Sequence, residues 1–187
     1  MDEEIIKIVE VLRKGGVILY PTDTIWGLGC DATNGVAAEK IFKIKGRKHD
    51  KALIILVDSF EMLKNYVVDV QDIAIDFMNG FSSPLTVIFP QGKGLPKNVL
   101  AADKSVAARI PKDDFILKII KAFGKPITST SANLTGYSSP LSFSHVTPNV
   151  VKGVDYIAET NRNRFNKPKS STIVRIDKFG EINIVRN

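Results

Sequence analysis

The sequence predicts an α/β fold, α+β in its detail, with a sheet covered by helices. Two observations carry that expectation. Short β-rich apolar runs alternate with helical-period segments along the chain, the arrangement expected of a sheet flanked by helices. The residues between them are helix and turn punctuation, with Ser or Asp before predicted helices and Gly after them. The length, 187 residues, suits one domain, residues 1–187, with a sizeable core. Hydrophobic residues make up 44% and charged residues 25%, an ordinary globular balance.

The elements follow in order. Ile5, Ile6, Val9 and Leu12 recur at helical spacing, and Gly15-Gly16 ends that helix. Residues 17–20 form a short buried strand closed by Pro21. Residues 22–31 are polar and glycine-bearing, and no element is assigned to them. A helix covers 36–44 and stops near Gly46; a strand covers 53–57. Ser59 caps a helix with Glu61 and Met62 in its first turn, and another helix spans 71–78 before Gly80. Strands are expected at 85–89, between Pro84 and Pro90, and at 106–110. Asp113 caps a helix that runs to Phe123, with Gly124 at its C-terminus. A short strand starts at 126–128, and the Ser- and Pro-rich stretch 136–148 reads as a loop over the site. Residues 172–176 and 182–185 form a hairpin around Phe179-Gly180.

Composition bounds the function. No apolar run approaches the roughly 20 residues that span a bilayer. The start, Met1-Asp2-Glu3-Glu4, is acidic and unlike a secretory signal, so a cytoplasmic protein without membrane association is expected. Cys30 stands alone, which excludes an internal disulfide, and His49 and His145 are the two histidines; a Cys/His zinc site is discounted and no metal ligand is named. The net charge is +6, with six cations between residues 40 and 51 (Lys40, Lys43, Lys45, Arg47, Lys48, Lys51). Arg162, Arg164, Lys167 and Lys169 form a second cluster. Such clusters suit a polyanion, RNA or a nucleotide triphosphate, although Lys40 and Lys43 alone read as a solvated helix face.

Four segments concentrate anion-binding and polar groups. Residues 21–29, Pro-Thr-Asp-Thr-Ile-Trp-Gly-Leu-Gly, follow a strand; Asp23 there either shapes an Asx-type turn or serves a ligand. Lys45-Gly46-Arg47 lies at a helix-to-strand turn, where cations can converge on a phosphate. Arg109 sits in a β-run, Ser105-Val106-Ala107-Ala108-Arg109, and either pairs a buried carboxylate or faces a ligand. Thr128-Ser129-Thr130-Ser131-Ala132-Asn133 packs five hydroxyl or amide side chains into six residues and reads as a hydrogen-bonding cradle. Phosphate loops and nucleophile elbows are missing, and no triad is convincing, so the pattern suits chemistry run by positioning and electrostatics.

Taken in order, these segments resemble the YrdC-like family, whose members make threonylcarbamoyl-AMP. The family's P-T-[DE]-T-x-[YW]-G-L-G, K-x-R, S-x-N and S-T-[IV]-V segments read here as 21–29, Lys45-Gly46-Arg47, Ser131-Ala132-Asn133 and Ser171-Thr172-Ile173-Val174. Ser83-Pro84-Leu85-Thr86 is similar to its G-P-L-T, and Ser138-Ser139-Pro140 to its serine-proline pair. The resemblance implies a twisted mixed sheet around a concave basic cleft. It implies ATP, L-threonine and bicarbonate as substrates, Mg2+ with ATP, and a downstream tRNA threonylcarbamoyl transferase as partner. Carried over by position, Thr24, Arg109, Ser129 and Ser171 would contact threonine or its carbamate. Arg47, Lys51, Ser105, Ser131, Asn133, Ser139 and Arg186 would contact ATP. Lys45, Arg47 and Arg109 would carry the catalytic charge. Two positions depart from the pattern: Leu56 stands where longer relatives have histidine, and Arg175 where aspartate is usual. A non-catalytic protein that binds double-stranded RNA or tRNA, and a family paralogue with another substrate, are the alternatives; weak RNA binding is expected from charge alone.

Overall fold

In a computed structural model the protein is described over residues 2–48, 52–163 and 171–186. The chain opens with α1 (Glu3–Arg13), capped by the Asp2 carboxylate, which accepts from the Glu4 N–H at 3.1 Å. Ile5, Ile8, Val9 and Leu12 are its buried stripe, while Ile6 is 40% exposed. There follow β1 (Ile18–Pro21), β2 (Trp26–Gly29), α2 (Gly35–Lys45), β3 (Ile54–Leu56), α3 (Phe60–Tyr66) and α4 (Asp72–Gly80). Then come β4 (Leu85–Phe89), β5 (Val106–Arg109), α5 (Asp114–Phe123), β6 (Ile127–Ser131), α6 (Pro148–Gly153), β7 (Tyr156–Ile157), β8 (Thr172–Ile176) and β9 (Ile182–Arg186).

Among the described residues the strands make one nine-stranded mixed sheet in the order β7-β1-β2-β6-β3-β5-β4-β8-β9. Strand alternation separates two cores. Leu19, Leu28, Ile55 and Val57 belong to the core that also takes the apolar residues of α2, α3, α4 and α6. Ile18, Tyr20, Leu56 and Ile127 belong to the other, with α1 and α5. Asp113 caps α5 by accepting from Phe115 and Ile116 N–H, and Gly124 closes it with φ +77°.

Three expectations are corrected. Residues 26–29 are a strand, and Gly29 is a packing requirement: a Cβ there would meet Thr128 O at 2.7 Å and the Tyr20 ring at 2.8 Å. The hydroxyl cluster does not follow its strand; β6 runs through it to Ser131, with Thr128 Oγ accepting from Cys30 N–H at 3.0 Å. The stretch after 147 contains α6 and β7, short elements with little periodicity of their own: Val150 is the buried residue of α6.

Candidate active site

α1 and α5 cover only part of their sheet face, and the remainder is the floor of a cleft of about 870 Å³. Alternation along the strands selects its lining. Ser105, Ala107 and Arg109 point to it from β5 and the residue before it, Ser129 and Ser131 from β6, and Ser171, Ile173 and Arg175 from β8 and the residue before it. Thr24, Lys45, Arg47, Asn133, Ser139 and Arg186 complete the predicted set from the surrounding loops, the end of α2 and β9. Lys51 lies outside the described residues, as do Arg164, Lys167 and Lys169. Lys48 also lines the cleft, whereas Lys40 donates to Gly15 O at 2.9 Å.

Arg109 pairs a buried carboxylate and also lines the cleft. It is 6% exposed, donates through Nη2 to Asp23 Oδ1, and still lines the cleft. Arg109 Nε and Asp23 Oδ2 have no partner among the described residues, so the pair leaves hydrogen-bonding capacity over. Burying either charge alone would be costly; the pairing makes the guanidinium tolerable in the floor. Tyr20 lies fully buried beneath, its hydroxyl donating to Thr128 O at 3.3 Å. Burial raises the Tyr20 phenol well above its ordinary value, against smaller opposing effects of Ser129 and Arg109, so it stays a neutral donor.

The cationic wall comes from the C-terminus of α2. Gly46 takes φ +57°, which turns the chain so that Lys45 and Arg47 both reach the cleft. Lys45 is 4% exposed; its ammonium donates to Ser131 O and, at 2.8 Å, to Asn133 O. Burial, reinforced by the Arg47 charge, lowers its pKa to about 8. Arg47 donates to Ala52 O at 3.1 Å and to Thr130 Oγ1 at 3.4 Å, with its guanidinium 5.8 Å from the centre of the Phe42 ring. Asn133 turns its Nδ2 to Leu134 O (3.0 Å) and Tyr137 O (2.5 Å), leaving Oδ1 buried and without a partner among the described residues.

Hydroxyls line the cleft as well. Thr22 Oγ1 accepts from Thr24 and Ile25 N–H at 3.1 Å and donates to Ile25 O at 2.6 Å. Thr24 Oγ1 lies 2.9 Å from it, hydroxyl to hydroxyl. Ser171 is held by buried Thr86, hydroxyl to hydroxyl at 2.9 Å, and its carbonyl accepts from Arg186 Nη2 at 2.9 Å. The Ser105 hydroxyl and N–H hold the Asp103 carboxyl below its ordinary value, and Arg175 adds to this from 3.2 Å. Ser139 is carried by the loop whose Pro140 O accepts from Trp26 N–H at 3.2 Å; fully buried Trp26 lies against Phe143 of the same loop, ring centres 5.3 Å apart.

Tyr20 and Thr86 are residues that sequence reasoning left without a role, and Asp23, left open between an Asx-type turn and a ligand, pairs with Arg109. Each lies behind a lining residue, and only the nine-residue motif and the S-P-L-T segment pointed toward two of them. Leu56 pairs with Arg109 in the sheet but is buried in the α1–α5 core, not on the cleft. Among the described residues no group of three His, Cys, Asp or Glu gathers to hold a metal, and no helix is long and apolar enough to cross a membrane.

Comparison with known proteins agrees with this geometry. A curated threonylcarbamoyl-AMP synthase of Pseudoalteromonas translucida is 32% identical over 154 residues, 81% of this chain and 82% of that protein. The crystal structure of P. abyssi Sua5 complexed with L-threonine superposes with a TM-score of 0.86 at 28% identity; 97% of this chain covers 53% of that one, so the chain spans about half of that relative. E. coli YciO superposes with a TM-score of 0.84 at 28% identity over 98% of this chain and 88% of its own. The Sua5/YciO/YrdC family, described as "Telomere recombination", matches residues 10–187, and with its four motif segments gathered on one cleft the chain belongs to that family.

Proposed function

We propose that the chain is a threonylcarbamoyl-AMP synthase, a nucleotidyltransferase that converts L-threonine, bicarbonate and ATP to threonylcarbamoyl-adenylate and pyrophosphate. The observation that carries this is a single cleft lined by cations and hydroxyls together, with a paired arginine in its floor. Threonine's amine joins carbon dioxide derived from bicarbonate to give a carbamate. A carbamate oxygen attacks the α-phosphorus of ATP, the bond to the β-phosphate oxygen breaks, and pyrophosphate leaves. The attacking group is already an anion, so this step needs no general base. It needs two anions held in line, and proximity of that kind is worth about 7–11 kcal/mol.

In this reading Arg109, Thr24, Ser129 and Ser171 take threonine and its carbamate. Arg109 offers a carboxylate its leftover N–H, and Thr24 offers a hydroxyl. Arg47, Lys51, Ser105, Ser131, Asn133, Ser139 and Arg186 take ATP. Lys45 acts by fixing the Ser131 and Asn133 carbonyls and by offsetting phosphate charge. Mg2+ arrives as part of the MgATP substrate, since no carboxylate cluster stands ready for it among the described residues. The adenylate would then pass to a tRNA threonylcarbamoyl transferase.

The test is pyrophosphate release with ATP, bicarbonate and each of the twenty amino acids in turn. Release that requires threonine and bicarbonate together is expected. Release indifferent to threonine would overturn the reading in favour of a paralogue with another substrate.

A further inference from the structure

Two lining strands share a pattern that the proposed roles do not use up. Ser105-Val106-Ala107-Ala108-Arg109 and Ser171-Thr172-Ile173-Val174-Arg175 both read Ser-x-apolar-x-Arg. Between them lies β4, antiparallel to β5 and parallel to β8, so the two runs point in opposite directions on one face. Ser171 therefore lies toward Arg109, and Ser105 toward Arg175. The pairing register places Ser129, Ile54, Ala107, Ile88 and Arg175 in one row across the sheet: an apolar floor with a hydroxyl at one end and a guanidinium at the other. From a strand spacing of about 4.8 Å and a rise of about 3.4 Å per residue, the Arg109 and Arg175 backbones lie roughly 12 Å apart.

The two arginines differ in how firmly they are held. The Arg109–Asp23 side chains are 7% and 13% exposed, and taking away one partner of such a pair leaves a buried charge uncompensated. Arg175 and Asp103, 3.2 Å apart, are 46% and 56% exposed, and solvent screening leaves a pair of that kind weakly held. An incoming polyanion can thus take Arg175 from Asp103 at little cost, while Arg109 stays fixed.

Resting on the function proposed above, we infer that Arg175 is a further nucleotide-binding residue, which leaves Asp103 to contact a phosphate oxygen of ATP at the Ser105 end of the cleft. Asp103 is its counterion while no nucleotide is bound.

The experiment is calorimetric titration with MgATP, and separately with L-threonine, of the wild type, Arg175→Ala and Asp103→Asn. Asparagine keeps an oxygen to accept from Ser105 N–H. Arg175→Ala is expected to weaken ATP binding about tenfold, the usual loss for one charge-assisted hydrogen bond. Asp103→Asn is expected to bind ATP as tightly as the wild type or a few-fold tighter. Threonine affinity should be unchanged in both. Opposite effects of two ion-pair partners cannot come from a merely structural pair. Equal weakening by both variants, or ATP binding indifferent to Arg175→Ala, overturns the inference alone. A wild type that binds no ATP removes the proposed function and the inference with it.

Discussion

Replacing Lys45 by methionine tests whether burial, and not the hydrogen bonds it makes, governs the ammonium at the end of α2. The shift from the ordinary 10.5 to about 8 corresponds, at about 1.36 kcal/mol per pH unit, to about 3 kcal/mol of preference for the neutral amine in the folded protein. The sign follows from proton counts. Between pH 8 and 10.5 the unfolded chain binds the lysine proton and the folded one has lost it, so wild-type stability gains up to about 3 kcal/mol from this group as pH rises through that window. Lys45→Met should lose that gain. At pH 7 the variant also loses two ammonium–carbonyl bonds, worth about 1.5–3 kcal/mol each, which the relieved burial cost largely offsets. Urea denaturation of both proteins at pH 7 and at pH 10 isolates the effect, because every other titrating group is common to them. The expected result is similar stability at pH 7 and a wild-type advantage that grows with pH. A difference between the two proteins that stays constant across pH, or that shrinks toward pH 10, would refute the burial argument.

Arg47→Ala should weaken ATP binding about tenfold or more and leave threonine binding nearly intact, read by titration of each ligand. Arg109→Ala should lose threonine affinity and about 3–5 kcal/mol of stability, because Asp23 is left buried without its counterion. Adding Asp23→Leu should restore melting temperature but not threonine binding, which thermal denaturation and calorimetry separate. Serine in place of threonine should lower kcat/KM by about 10–200-fold, the range for one methylene, in the pyrophosphate assay. RNA binding followed by tRNA anisotropy should fall steeply with salt and vanish near physiological ionic strength; Lys40→Gln with Lys43→Gln should reduce it and leave turnover nearly unchanged.

Elements whose limits are set locally were legible in the sequence. Asp113 and Gly124 bracket α5, and Gly46 ends α2, because caps and left-handed turns need those residue types. β2 was not legible, because Gly29 answers to Thr128, a residue of β6 far from it in sequence. The hydroxyls of β6 looked too polar for a strand; their partners, such as Cys30 N–H, are supplied by neighbouring strands. The lining residues could be named from their motifs, but what stands behind them could not. Asp23 meets Arg109 across 86 positions, and Thr86 meets Ser171 across 85, and a single sequence carries no sign of such pairings. Tyr20, read from its strand, looks like any core aromatic.

The position of Trp26 has an optical consequence. It is the only tryptophan of the chain, so tryptophan emission reports one place. That place adjoins Gly27 on the cleft wall and touches the loop that carries Ser139 through both Phe143 and Pro140. The indole is dry, and its Nε1 has no hydrogen-bond partner among the described residues, so small shifts of that loop or admission of a water will alter its emission. The protein therefore contains its own unlabelled reporter of whether the Ser139 loop moves when ATP or threonine enters, and stopped-flow fluorescence can time that motion against pyrophosphate release.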